Sequence, residues 1–237
     1  MSISLIIVIC VIAFLLLLCF FLAIANFANE KFYDSYKQFD STRALTNLSP
    51  TEFFDMLNEE HFDGEISVYT IAGVAQDAYS KKTLYLSSAT QGSKSLASFS
   101  IISHELGHAL QDKKGNKLKK LNRLRRLGKI LGLFLMPLFI AGIILMIFFS
   151  ELFFVGVGCL GACVLIFILA LFIKIRMISI EREASKFAIE FLKEALSDDQ
   201  VELCKQFLND ARLSYWADFF RTLLVWTFMT KKNKLFN

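Results

Sequence analysis

The chain of 237 residues is poor in proline (2) and histidine (3), and shows neither an internal repeat nor a low-complexity linker. It lacks a cysteine framework too. Of its five cysteines, Cys10, Cys19, Cys159 and Cys163 lie inside apolar runs, where a free thiol behaves as a small hydrophobe, and only Cys204 stands in a polar segment. That excludes a disulfide scaffold and places the polar parts in a reducing compartment. No Lys or Arg precedes the first apolar run, as a secretory signal peptide would require. No Arg/Lys tract interleaves with aromatic residues, so nucleic acid is not an expected partner.

What is abundant is apolar mass. Hydrophobic residues make up 55% of the chain, with 25 Phe, yet 20% is charged. This is too apolar for an ordinary soluble domain and too charged for bare membrane spans, so a mixed protein is expected. Ile3–Ala25 carries no charge and is long enough to cross a bilayer, which needs about 20 residues, so we expect an uncleaved span there. Leu131–Phe149 and Leu152–Ile173 are two further candidates. Only Ser150 and Glu151 separate them, which makes them an antiparallel hairpin.

Residues 26–129 are mixed in polarity. Ser49-Pro50-Thr51-Glu52 predicts a helix start, with Ser49 as N-cap, Pro50 in the first turn and Glu52 closing a capping box. That helix should end near Glu60. Glu65–Ile71 and Thr83–Ser87 are short and rich in β-branched and aromatic residues, hence strands, with Ala72–Lys82 a loop between them. Thr83–Ser87 is either an ordinary sheet member or an edge to which an extended peptide could add. A buried helix should run from about Ser95 to a stop at Gly115. After the hairpin a helix is expected from Ser179 to about Leu196 and another from Gln200. Leu213–Met229 is apolar but carries Asp218 and Arg221, which favours a surface or buried helix over a fourth span. The resulting division is 1–25 first span, 26–129 first part of a catalytic domain, 130–173 hairpin, and 174–237 a helical segment completing the site.

The helix near Ser95 contains the one pattern that brings a mechanism with it: His104-Glu105-Leu106-Gly107-His108. Residues i and i+4 share a helix face, so two imidazoles can point at one ion, with a carboxylate beside them. Zn²⁺ in a hydrolase takes three protein ligands and a water, and Glu105 suits the role of base toward that water. Three ionisable groups on an otherwise apolar helix would be costly without such a partner. The third ligand must come from elsewhere. His61 sits among Glu59, Glu60 and Asp63 at an exposed helix end, which suits a surface role better. Glu181 and Glu183 follow the hairpin, and two residues apart on a helix at most one of them can face the metal. Ser185 shares a face with Glu181 and could support a ligand imidazole from behind.

These residues resemble a known family. "HELGHALQD", then a membrane hairpin, then "IEREAS", is similar to the membrane-bound neutral zinc metallopeptidases of the bacterial YugP type. It is similar more distantly to the HtpX and CAAX-prenyl-protease group. The resemblance implies a mainly α membrane protein with three transmembrane helices and a small α+β zincin-like (gluzincin) catalytic domain. It implies His104, His108 and Glu181 as zinc ligands, Glu105 as catalytic base, and Ser185 in place of the distant group's Asp behind the ligands. Ala78 and Ser80 depart from the family's Asp-His-Tyr-Asp, so any role of those two positions is lost or moved here.

The expected function is therefore a membrane-integrated zinc endopeptidase acting on a peptide or a membrane protein. A non-catalytic zinc-binding scaffold or chaperone-like protein is the alternative, against which the intact Glu105 argues. Lys113–Lys129 holds nine basic residues, read as juxtamembrane anchors to the lipid bilayer. Lys174, Arg176 and Arg182 follow the last span, whereas Ser150–Glu151 has no basic residue. By the positive-inside rule the site should face the cytoplasm from the plasma membrane.

Overall fold

A computed structural model describes residues 3–73 and 77–224; toward both ends some positions are described by their backbone alone. Among the described residues seven α-helices and three short strands make a mainly helical molecule: α1 (Ile3–Ser41), α2 (Pro50–Phe62), β1 (Ser67–Ile71), β2 (Ala78–Ser80), β3 (Thr83–Ser87), α3 (Ser88–Gly92), α4 (Leu96–Lys113), α5 (Lys117–Phe148), α6 (Phe153–Lys193) and α7 (Asp198–Leu224).

Two helical segments among the described residues are long and apolar enough to cross a membrane, Lys117–Phe148 and Ser150–Lys193, and not the three expected. Only 22% and 11% of their most apolar windows are buried, unlike the core helix of a soluble protein. The third expected span, Ile3–Ala25, falls in α1, where many side chains lie outside the described residues. Nor does α1 stop at Ala25. Phe32, Tyr36 and Phe39 recur at helical spacing and stack around Phe207 with ring centroids 5.6–6.4 Å apart, so the polar half of α1 is drawn into the domain core.

The hairpin forms because α5 and α6 meet through glycines. A Cβ on Gly142 would stand 3.1 Å from the Gly156 carbonyl oxygen, and one on Gly156 would stand 2.6 Å from the Gly142 carbonyl oxygen. Small residues here let two backbones approach as bulkier ones would not. Both helices continue beyond their apolar stretches. The basic segment from Lys117 is the start of α5, and the helix expected from Ser179 is the last part of α6. Likewise Leu213–Leu224 is the end of α7, not a separate element. Leu213, Trp216, Ala217 and Phe219 pack with Ile24, Ala25 and Ala28 of α1 and with Leu135 and Ala170 of the hairpin helices. Residues 225–229 of the expected segment lie outside the described residues.

Ser49 caps α2 as expected, with the capping box to Glu52 closed in both directions. From α2 the buried Asn58 side chain binds both the N–H and the C=O of Ile66, at 3.1 and 3.0 Å, and so fixes the approach to β1. The sheet order is β1-β3-β2, with β1 parallel and β2 antiparallel to β3. The segment expected to be a loop thus contains β2. Lys81 and Lys82 make the turn to β3, both at positive φ (50° and 62°), as a two-residue hairpin connection of type I′ demands. β3 is therefore central, and both its edges are taken. It cannot accept a peptide by edge addition, and the edge lying over α4 belongs to β2.

Candidate metal centre

α4 and α6 cross at small residues. A Cβ on Gly107 would fall against the Ala184 carbonyl oxygen, and 3.0 Å from its carbon, so the two helices touch backbone to backbone at this point. That contact puts the faces bearing His104 and His108 directly opposite Glu181. His108 Nε2 lies 3.1 Å and His104 Nε2 3.4 Å from Glu181 Oε2. In a tetrahedral site with zinc–ligand bonds of about 2.0–2.1 Å, neighbouring ligand atoms stand roughly 3.3 Å apart. His104, His108 and Glu181 thus have the spacing and the N, N, O donor set that zinc takes. Glu181 and His108 are buried; His104 retains slight exposure.

The hydrogen bonds on the far side of each imidazole decide what Nε2 can do. Gln111 Nε2 donates to the Ile180 carbonyl (2.8 Å) and to Glu183 Oε2 (3.0 Å), so its Oε1 must face His108 Nδ1, 3.0 Å away. An amide oxygen only accepts; His108 Nδ1 therefore carries the proton and Nε2 presents a lone pair. Ser185 Oγ donates to the Glu181 carbonyl (3.1 Å) and is then the acceptor for His104 Nδ1 at 3.3 Å. His104 Nε2 is a lone pair as well. Two lone pairs and a carboxylate oxygen converge with no donor between them, an arrangement that a cation relieves. Without an ion the alternative is a second proton on the imidazoles: burial raises the Glu181 carboxyl, but hydrogen bonds and charge from protonated His104 and His108 outweigh it and hold it far below the ordinary range. Burial lowers His108, while Glu181 and Glu105 raise it by more.

Glu105 lies on the side of the sheet, within electrostatic reach of His104, His108 and Glu181. The Tyr79 backbone N–H, on the free edge of β2, donates to Glu105 Oε2 at 2.8 Å. Burial raises its carboxyl, partly offset by His108 and His104. Glu183 points elsewhere, to Lys117 and Gln111. His61 is far from this cluster and pairs with Glu194 at 2.9 Å on the surface. Ala78 and Ser80 flank Tyr79 on β2. Asp77 just before them accepts from Ser87 N (2.6 Å) and Thr90 Oγ1 (2.8 Å), which ties the loop to α3.

Three contributors were not anticipated from the sequence. Arg125, grouped with the juxtamembrane basic residues, donates from Nη2 to Glu181 Oε1 at 2.8 Å. Gln111 has a sequence signal in retrospect, since it stands one helical turn after His108. Tyr215 has none. It arrives on α7 with its hydroxyl directed at Glu181, and burial together with the Glu181 and Glu105 charges raises that hydroxyl well above its ordinary value. No curated protein and no solved structure matches the chain. One family model does, over residues 11–230, under the description "Putative neutral zinc metallopeptidase". With nearly its whole length matched, and with two imidazoles and a carboxylate converging inside the matched region, the chain belongs to that neutral zinc metallopeptidase family.

Proposed function

We propose that the protein is a membrane-integrated, zinc-dependent endopeptidase with its site on the cytoplasmic side of the plasma membrane. The observation that carries this reading is the convergence of His104 Nε2, His108 Nε2 and Glu181 Oε2 with Glu105 at their side. When bound, zinc supplies Lewis acidity that makes a water acidic near neutral pH and polarises a peptide carbonyl. The residues divide the remaining work. His104, His108 and Glu181 hold the ion; Gln111 and Ser185 fix the imidazole tautomers, and Arg125 steadies the second Glu181 oxygen. Glu105 takes the proton of the attacking water and returns it to the departing amine, so the peptide C–N bond breaks without net consumption of the base. Its burial favours this role, since a desolvated carboxylate holds a proton more readily than an exposed one. The substrate is a peptide or the polar segment of a membrane protein.

Membrane integration rests on the exposed apolar faces of α5 and α6. Leu133, Phe134, Ile144, Phe154, Leu165 and Phe172 all lie open on the hairpin, far more apolar surface than a water-soluble domain leaves bare. The orientation rests on the basic residues at the start of α5 and after the apolar part of α6. Cysteine labelling of intact cells checks it: a probe at Asn116 should be shielded from an impermeant reagent and one at Ser150 should react. The chemistry is checked with Glu105→Gln and Glu181→Ala. Glu105→Gln should keep about one zinc per chain and lose about two orders of magnitude or more in peptidase activity, whereas Glu181→Ala should lose the metal. Undiminished turnover by the Glu105→Gln protein overturns Glu105 as the base, whereas a zinc-loaded wild type without peptidase activity leaves a zinc-binding scaffold.

A further inference from the structure

Neither helix of the hairpin stops where its apolar stretch ends. α6 runs unbroken from Phe153 to Lys193, with Glu181 beyond the last apolar turn. α5 runs from Lys117 to Phe148, and Arg125, which binds Glu181, lies before its apolar part. A continuous helix measures height, since each residue adds about 1.5 Å along the axis.

Height is counted from the level at which charge gives way to exposed apolar side chains. The two helices share that level, because a Cβ on Gly128 of α5 would stand 4.0 Å from Ile173 Cγ2 of α6. Between it and the hairpin turn the exposed side chains are apolar, among them Leu133 and Phe134 on α5 and Leu169 and Phe172 on α6. Arg126, Lys174 and Arg176 stand outside it, and Lys129 is at its edge, where a long stem lets the ammonium reach water. Both helices then give the same height for the pair Lys117–Glu183. Gly128 back to Lys117 is about 16 Å, and Ile173 on to Glu183 is about 15 Å. Glu181 is therefore about 12 Å outside the apolar layer, and a tilt of about 20°, usual for spans, shortens this by less than about 1 Å.

The headgroup layer on each side of a bilayer is about 5–8 Å thick. The candidate centre thus stands a few ångström above the headgroups, in water, yet held at the membrane surface by two spans. We propose that the substrates are membrane-anchored proteins, cut in the polar segment that leaves the bilayer, with the scissile bond no nearer than about four residues to the substrate's own span. This rests on the reading of a membrane-integrated peptidase above. An extended segment covers about 3.3 Å per residue, so about four residues are the fewest that reach 12 Å. A segment that stays helical needs about eight. A bond inside the span, or in the first residues after it, cannot reach the metal ligands. Anchoring favours the substrate because sharing a bilayer raises its local concentration as a tether does, whereas a free peptide must be collected from solution.

The test uses the full-length, zinc-loaded protein in liposomes, with the metal-free Glu181→Ala variant as background. Each substrate joins an apolar span to a folded reporter domain through a linker of randomised sequence, so that no single cleavage preference decides the result. Linkers of about 3 and about 16 residues reach roughly 10 and 53 Å when extended. A third substrate carries the long linker and the reporter without the span. We expect the short linker to stay intact and the long one to be cut, with mass spectrometry placing every cut about four residues or more from the span. The span-free substrate should be cut about tenfold more slowly or worse. Cuts inside the span or in the first two residues after it overturn the proposal, as does an equal rate on the span-free substrate; either result leaves the peptidase reading standing. A wild type that cuts none of the three faster than Glu181→Ala overturns both.

Discussion

Replacing Gly107 by Ala leaves every candidate ligand residue unaltered and should nevertheless loosen the candidate metal centre. The new Cβ would be pressed against the backbone oxygen of Ala184 and stand 3.2 Å from its Cα. Nothing there can rotate away, because the obstacle is the main chain of α6. To restore ordinary contact near 3.5 Å, α4 and α6 must part by about 1 Å. The cost in stability should be about 1–3 kcal/mol, the usual range for overpacking. The cost to the site is larger than that range suggests. His104 and His108 ride on α4 and Glu181 on α6, so their present separations of 3.1 and 3.4 Å grow with the gap between the helices. Metal–ligand bonds tolerate only about 0.2 Å. Zinc affinity should therefore fall by at least the roughly 10–100-fold seen when a ligand's supporting group is lost. Competition titration with a zinc chelator measures this, with Gly115→Ala as the control, since a Cβ at Gly115 meets nothing within 4 Å. Wild-type zinc affinity in Gly107→Ala would refute the idea that this backbone contact sets the ligand spacing.

Gln111→Leu should weaken zinc binding about 10–100-fold by leaving the His108 Nδ1–H without its acceptor. Ser185→Ala, which loses a longer contact of 3.3 Å, should have the smaller effect in the same titration; the reverse order would contradict the tautomer assignment. Asn58→Leu strands the N–H and C=O of Ile66 in a buried setting, and unpaired buried groups cost about 1–3 kcal/mol each. Its melting temperature should drop by several degrees, and an unchanged value would mean that water replaces the side chain. Burial raises the Asp77 carboxyl above its ordinary value despite its bonds to Ser87 and Thr90. The stability this residue contributes is therefore complete below the ordinary carboxylate range and declines as pH rises through the raised value. Asp77→Asn should flatten that decline when melting is followed from about pH 4 to 7, and identical pH profiles would rule the linkage out.

Much of the site was legible because its signals are local. His104, Glu105 and His108 lie within five residues of one helix, and the face they share follows from helical periodicity alone. The Ser49 cap and the tight hairpin after Phe148 are local too, as are the strands 67–71 and 83–87. β2 went unread because its turn is Lys81-Lys82. Both residues adopt positive φ without the Gly or Asn that ordinarily advertises such a turn, and without that sign three residues of strand look like loop. The lengths of α5, α6 and α7 were misjudged for a related reason. Composition changes sharply at the edge of an apolar run, but a helix needs only continuous backbone hydrogen bonds and crosses that edge unaffected.

What the sequence determined by itself is therefore the helix that carries two imidazoles and a carboxylate, and the apolar hairpin that follows it. Only the tertiary structure decided which groups complete the arrangement. Glu181 rather than Glu183 meets the imidazoles because Gly107 lets α6 settle against α4 at one rotation, while Lys117 and Gln111 take Glu183. Arg125 and Tyr215 reach the same carboxylate from α5 and α7, 56 residues before it in one case and more than thirty after it in the other. Periodicity fixes neighbours within a helix. Which residue of one helix meets which residue of another depends on how closely the backbones approach and how each helix is turned, and those are properties of packing.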